Sequence, residues 1–320
     1  MRLWLAGALM AGTAAGAQQT PAPIERPPAP IERQNPDIPT IKIESRLVNV
    51  ALNVMDEHGA PVPGLTATDF ELAEDDKPQR IAVFDTESVT PLEIVLAIDA
   101  SESLYDDSRL AKDAAKNFAQ TIVRKQDRID LMSFADDVSE VVPFTNNVHA
   151  FESGVGRIQR GEATAMYDAI YLASQRLGDT PSANGQRRVL VLVTDGENTT
   201  RHGSYPAALE QAQKAGAMVY SLIIVPVEAD AGRDTGGEHA LIQLARDTGG
   251  RYYYVANKHD LAPAFEHVSD DLRTQYTVGY YAPRKGEDED GLRRIRLQMK
   301  DPALRAKYTL RYRTAYYANR

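Results

Sequence analysis

The sequence contains no cysteine and a single tryptophan in 320 residues. The first absence excludes disulfide staples, thiol nucleophiles, thiolate metal sites and cysteine lipidation together, so the fold must stand on its own core. An excess of positive charge is also missing. Lys and Arg total 36 against 45 Asp and Glu, a net charge of −9, the wrong sign for a nucleic-acid surface. The densest basic knot, Arg293-Arg294-Ile295-Arg296, has strand-like spacing and reads as the wet face of a strand. Catalytic signatures are lacking as well: there is no G-x-S-x-G elbow, H-E-x-x-H, P-loop or G-x-G-x-x-G. The six histidines are scattered without ligand spacing. Beyond the N-terminus, no apolar run approaches the length of a membrane helix.

What is present begins with a targeting pattern. Arg2, the apolar run Leu3 to Gly12 and the Ala15-Gly16-Ala17 cleavage-like site read as a secretory signal over 1–17. The expectation is an exported protein, periplasmic or secreted. Residues 18–40 are proline-rich, with PAPIER at 21–26 and again at 28–33, which denies helix and ladder hydrogen bonds and predicts an extended spacer.

Three textures follow. Over 41–90 the apolar residues alternate, as in IKIESRLVNVALNVMD, with Gly and Pro turns and EDDKP as a hairpin tip, which predicts antiparallel strands. Over 91–272 apolar strand runs alternate with amphipathic helical spacing, predicting crossover units and a mostly parallel sheet. Over 273–320 alternation returns in TQYTVGYYAP, LRRIRLQMK and AKYTLRYRTAYYA. Neither β-rich piece is large enough for a good core, and open sheet edges invite aggregation. The fold class expected is therefore α/β: a doubly wound, mostly parallel sheet flanked by a β-sandwich built from N- and C-terminal strands.

The chemistry gathers where the apolar strand at 92–98 stops at Asp99 and runs into Ser101, Glu102 and Ser103. Two further loops at strand ends carry oxygen donors: Thr164 before the helical spacing of 165–177, and Thr194-Asp195-Gly196 after the strongest apolar strand. In a doubly wound sheet these ends meet at the ligand site. Hydroxyls and carboxylates without His or Cys suit Mg²⁺ rather than zinc. Ser101 and Ser103, two apart in an irregular turn, can take adjacent vertices of an octahedron, with Asp99 anchoring from behind. An ion held mostly by neutral oxygens stays electrophilic and favours a carboxylate from outside. An aspartyl-phosphate phosphatase also carries an Asp after its first strand, but wants a carboxylate where this chain has Ser101. The tyrosine-rich runs are explained more simply by cross-strand packing than by carbohydrate binding.

The D-x-S-x-S at 99–103, Thr164 and T-D-G at 194–196, in that order and strand context, resemble the metal-ion-dependent adhesion site of von Willebrand factor type A domains, over Leu92 to Asp271. The layout of signal, β-rich lead, type A domain and β-rich tail resembles a bacterial exported subgroup. The resemblance implies Asp99, Ser101, Ser103, Thr164 and Asp195 as metal residues, Mg²⁺ or Mn²⁺ in preference to Ca²⁺, and binding of a protein ligand through a carboxylate rather than catalysis. A scaffold role, with the sandwich binding and the metal only stabilising loops, is the alternative. Glu102 stands where the family usually has Gly, and points to solvent in the simplest reading. Asp168 is expected as a buried local acceptor, Asp106 and Asp107 at a helix start, and Asp136 and Asp137 as solvated loop carboxylates.

Overall fold

The structure, a computed structural model, describes residues 45–86, 90–102, 108–180, 186–225, 235–256, 258–283 and 291–318. The signal pattern at 1–17, the spacer at 18–40, and Ser103, Asp106 and Asp107 lie outside them. Chain order begins with β1 (Ser45–Met55), β2 (Phe70–Glu74), β3 (Lys77–Gln79), β4 (Ile81–Asp85) and β5 (Leu92–Asp99). Then come α1 (Ser108–Ile122), β6 (Arg128–Phe134), β7 (Val138–Thr145), α2 (Val148–Val155), α3 (Met166–Gly178) and β8 (Arg187–Thr194). Next are α4 (Tyr205–Ala215), β9 (Ala217–Ile224), α5 (Thr235–Thr248), β10 (Tyr252–Val255) and α6 (Leu261–Arg273). The chain closes with β11 (Tyr276–Pro283), β12 (Leu292–Met299), α7 (Pro302–Lys307), β13 (Thr309–Tyr312) and β14 (Ala315–Tyr317).

Among the described residues the central sheet has the order β10-β9-β8-β5-β6-β7, parallel except for the edge strand β7. Every residue of β5 is buried, as a strand covered on both faces requires. One face packs Leu96, Ile98, Val191 and Val193 against Phe118 of α1 and Phe265 of α6, whose rings are 4.8 Å apart. The other packs Val95, Ala97, Leu190 and Leu192 against Met166 and Ile170 of α3 and Ala208 of α4. The expected doubly wound sheet is therefore present. Its order reverses between β5 and β8, whose onward connections run in opposite directions, and in such sheets the ligand site lies at the strands' C-terminal ends there.

The flanking strands form two antiparallel sheets, β13-β1-β11-β4 and β14-β12-β2-β3, that share one core. Val50, Leu52, Val278 and Tyr280 from one meet Leu72, Ile295 and Leu297 from the other. Each such aliphatic side chain contributes about 1.5–3 kcal/mol by leaving water. The predicted alternation of Tyr276, Val278 and Tyr280 is seen, all three being buried. Inside, Glu74 accepts hydrogen bonds from the Tyr280 and Tyr316 hydroxyls at 2.6 and 2.7 Å, so the carboxylate is satisfied.

Two expectations are corrected in detail. QRIAVFDTES and AKYTLRYRTAYYA each read as one strand, yet each divides between the sheets. Arg80 separates β3, paired with β2, from β4, paired with β11; Arg313 and Thr314 separate β13, on β1, from β14, on β12. Alternation reports one buried face and is blind to which sheet owns it. The hairpin tip is at Asp75 and Asp76, both at positive φ (47° and 60°), as a primed turn requires. The helix α7 was not anticipated, although Asp301 caps it by accepting from the Ala303 N–H at 2.8 Å, with Pro in its first turn.

The α/β layer is fastened to the sandwich through Tyr220, which is fully buried on β9. Its hydroxyl accepts from Asn53 of β1 and from Gln275, each at 3.3 Å. Gly249, at φ +81°, lets the β13–β14 corner approach: a Cβ there would stand 2.4 Å from the Arg313 nitrogen. The Thr314 N–H donates to the Asp247 carbonyl at 3.2 Å.

On the β6–β7 edge, Arg176 of α3 donates to Glu140 at 2.6 Å and lies 3.4 Å from the wholly buried Asp130. Burial pushes the Asp130 carboxyl up to about 8, and the adjacent Glu140 carboxylate pushes the same way, while Glu140 itself is lowered. The folded protein thus holds a proton that the unfolded chain releases near 3.8. That stability is complete below the unfolded value and is lost as pH rises through about 8. Glu140, shifted down, acts at the acid end of the range. Asp130→Asn is expected to flatten the fall of the urea midpoint across about pH 4 to about pH 8; a slope equal to wild type would contradict this.

Candidate metal centre

Asp99 ends the central strand with its side chain buried, and an ionised carboxylate there must be held by donors. Oδ1 accepts the Ser101 N–H at 2.9 Å, and Oδ2 accepts the Thr194 hydroxyl at 2.7 Å. Burial nevertheless pushes the carboxyl up to about 6, against hydrogen bonds from the Ser101 side chain, the Thr194 hydroxyl and the Ser101 N–H, and with some help from the Asp195 charge. The Thr194 hydroxyl also accepts the Gly196 N–H at 3.1 Å, which fixes its lone pairs and proton together. Thr194 was not among the predicted site residues. The signal was present in T-D-G, since a buried hydroxyl at a strand end must find partners.

Three loops are stitched to one another by backbone hydrogen bonds. Ala100 N–H reaches the Phe134 carbonyl at 2.8 Å, Gly161 N–H the Ala100 carbonyl at 3.1 Å, and Ala165 N–H the Ala135 carbonyl at 2.8 Å. The Thr164 N–H donates to the Thr199 hydroxyl at 2.8 Å, and the Thr199 N–H returns to the Thr164 carbonyl at 3.1 Å. The Asn198 side chain accepts the Tyr167 N–H at 3.2 Å, tying the same loop to the first turn of α3. Ser101 and Thr164 are both 2% exposed, and Asp195 is half-buried with Oδ1 accepting the Glu197 N–H at 3.1 Å. The structure therefore brings Asp99 and Ser101, Thr164, and Asp195 onto three adjoining loops at the sheet's switch point. Ser103 lies outside the described residues.

The donor set fits a hard divalent cation. Among the described residues, no three His, Asp or Glu side chains gather to share an ion; here two carboxylates stand with hydroxyls. No described donor or acceptor engages the Thr164 hydroxyl. Such a mixture of few charges and neutral oxygens fits a hard divalent ion, and a positive charge beside Asp99 would supply the compensation its donors leave incomplete.

Three expectations change. Asp136 is exposed, but Oδ2 accepts the Glu162 N–H at 2.9 Å and Oδ1 the Ala163 N–H at 3.2 Å, so it holds the Thr164 loop in shape. Those amide bonds, led by that of Glu162, lower its carboxyl below the ordinary range. Glu102 is not simply solvated: it forms an ion pair with Arg160, on the loop leading to Thr164. Asp168, on the first turn of α3, is half-buried and faces Gly203 rather than serving as a buried hydrogen-bond acceptor.

Gly161 is where the Thr164 loop passes closest to the strand end. A Cβ there would lie 2.3 Å from Asp136 Oδ2 and 2.5 Å from the Ala135 Cβ. Gly161→Ala is expected to destabilise by about 1–3 kcal/mol through overpacking, and to speed amide exchange at residues 161–164. Urea unfolding and hydrogen exchange read both, and unaltered exchange would show that the loop tolerates the side chain.

No curated protein matches the chain significantly. Among solved structures it is similar to a von Willebrand factor type A protein from Catenulispora acidiphila, with 14% identity and a TM-score of 0.50, over 86% of this chain and 74% of that one. It is also similar to proximal thread matrix protein 1 of the mussel byssus, with 16% identity and a TM-score of 0.50, over 63% of this chain and 51% of that one. An aerotolerance-related membrane protein from Bacteroides fragilis NCTC 9343 aligns at 24% identity and a TM-score of 0.44, over 56% of this chain and 98% of that one. Likeness at these identities concerns the fold. The profile of the von Willebrand factor type A domain matches residues 93–267, more than half of the 320 residues, and the chain belongs to that family.

Proposed function

We propose that this protein is an exported, divalent-cation-dependent protein-binding module. Asp99, Ser101, Ser103, Thr164 and Asp195 hold Mg²⁺ or Mn²⁺, and the partner presents a carboxylate. The observation that carries this reading is the convergence of the three loops on a buried Asp99 whose charge the surrounding donors compensate only in part. When bound, the ion supplies an electrophilic vertex for an acidic side chain. The protein's own part is to fix the donors. Thr194 orients Asp99, the Thr199 pair sets the backbone at Thr164, and Asp136 shapes the turn before it. The Glu102–Arg160 pair braces the first two loops against each other. Binding rather than catalysis is supported by the lack of any nucleophile-and-base motif in the sequence. Export rests on the N-terminal pattern; among the described residues no helix is long and apolar enough to cross a membrane.

Calorimetric titration of metal-stripped protein with Mg²⁺ and Mn²⁺ tests the site. Saturable uptake is expected in the wild type and none in Ser101→Ala or Asp195→Ala. Thr194→Val, which removes the hydroxyl that orients Asp99, is expected to weaken affinity roughly 10–100-fold. An acidic peptide should bind the loaded protein and be released by EDTA. Absence of uptake even with acetate present to complete the shell would overturn the proposal and leave the scaffold role, with the sandwich as the binding surface.

A further inference from the structure

At the opposite end of the sheet, about 23 Å from Asp99 along β5 at 3.3 Å per residue, lies a cavity of about 290 Å³. It opens where the chain passes from the sandwich into the α/β layer. Among the described residues its lining includes Arg124, Arg187 and Arg273, the hydroxyl residues Thr86 and Thr90, and a single carboxylate, Asp127. Asp127 is committed to the backbone, Oδ1 accepting the Leu92 N–H at 2.8 Å and Oδ2 the Arg124 N–H at 3.0 Å. None of the three guanidinium groups forms an ion pair with a described residue.

Two of the arginines have a structural duty. Arg187 Nη1 donates to the Leu272 carbonyl at 2.7 Å and to Gln275 Oε1 at 2.9 Å, and Arg273 donates to the Thr121 carbonyl. These bonds cap the C-termini of α6 and α1, and the helix dipoles there offset part of the positive charge. Neutral acceptors leave most of that charge uncompensated, and they occupy few of the five N–H donors that each guanidinium carries. Arg187 Nε is buried with no hydrogen-bond partner among the described residues. Burial lowers the Arg187 pKa to about 10, Asp127 and Tyr220 oppose this, and Arg124 adds to it. Arg124 has no capping duty at all. The cavity is thus lined by one half-buried cation and two exposed ones.

We propose that this cavity binds a small tetrahedral oxyanion, a phosphate either free or as a phosphomonoester. Guanidinium forks match phosphate oxygens two at a time, and a charge of roughly −1.5 to −2 at neutral pH balances three arginines against one aspartate. The volume lies at the low end of small-ligand pockets, about 300–1,000 Å³, which suits a compact ion better than a polymer. A phosphate held there joins β5, β8, α1 and α6, and so stiffens the junction between the two layers.

The test uses the full chain in EDTA, so that the candidate metal centre is empty and its status does not enter. Thermal unfolding and calorimetry are run with sodium phosphate and glycerol 1-phosphate, against sodium chloride at equal ionic strength. Saturable phosphate binding and a Tm that climbs with ligand concentration are expected. Arg124→Gln removes a guanidinium that bonds to no described residue. It should not lower the ligand-free Tm and should weaken phosphate about tenfold, the scale of a hydrogen bond to a charged group. Arg273→Gln provides a second probe with the same expected direction of effect. Phosphomonoester binding at least as tight as phosphate identifies an organic phosphate as the ligand; weaker binding identifies the free ion. A wild type that responds to phosphate no more than to chloride would overturn the site. So would wild-type affinity in both variants.

Discussion

The site end of the molecule depends on one buried carboxylate. Asp99 must end the central strand inside the protein, where an ionised oxygen without donors would cost several kcal/mol. Its two partners come from different directions: the Ser101 N–H from the turn that follows, and the Thr194 hydroxyl from the neighbouring strand. That pair of bonds aligns the ends of β5 and β8. The Phe134 carbonyl, accepting from Ala100, aligns β6 with them. Once the three strand ends are level, the loops at 161–164 and 195–199 have few ways to close their own hydrogen bonds, and those they adopt bring Thr164 beside Thr199. The raised pKa of Asp99 is the residue of this arrangement: more burial than its neutral donors can compensate. The same imbalance is what a cation would correct.

Much of this architecture was legible because each layer obeys a different period. Strand β5 reads as an apolar run broken only by Glu93 before it ends at Asp99, because both of its faces are covered, whereas β12 reads as alternation because one face is wet. The division of two apparent strands between sheets was not legible. Arg80 and Arg313 interrupt nothing in the pattern, since the next segment resumes burial toward the same core. At the site, the candidate hydroxyls and carboxylates were found by type, but their supports were not. Asp136, Thr199 and Asn198 act through backbone amides contributed by residues about 30 positions away, and spacing carries no trace of such a pairing. Arg160 was missed for the same reason, being 58 residues from Glu102.

The Glu102–Arg160 pair shows how a departure from a family pattern is accommodated. A glycine between the two serines leaves the rim without charge. A glutamate there adds a negative charge that an acidic partner would have to approach. An exposed ion pair contributes little to stability, about 0–1 kcal/mol. Its consequence is electrostatic, since the guanidinium cancels the field of the glutamate at the rim of the site. It also links the loop of Ser101 to the loop of Thr164, in parallel with the Gly161–Ala100 hydrogen bond.

The direction in which the site faces follows from where the chain crosses between layers. It enters the α/β layer through Thr90 to the N-terminal end of β5, and leaves it through Thr274 after α6. Both crossings lie at the end of the sheet remote from Asp99. Gln275, immediately after the exit, donates to Tyr220 and accepts from Arg187, while Asn53 of β1 donates to the same tyrosine. Burial raises the Tyr220 hydroxyl above its ordinary range, so it stays neutral and keeps its proton. The sandwich is thereby anchored beneath the strands' N-terminal ends. A parallel sheet sends all its C-terminal loops to one side, and with both connections and the anchor on the other, those loops face away from the sandwich. The loops of Asp99, Thr164 and Asp195 and the arginine-lined cavity therefore lie at opposite ends of one layer: carboxylates where the strands finish, guanidinium groups where helices α1 and α6 end.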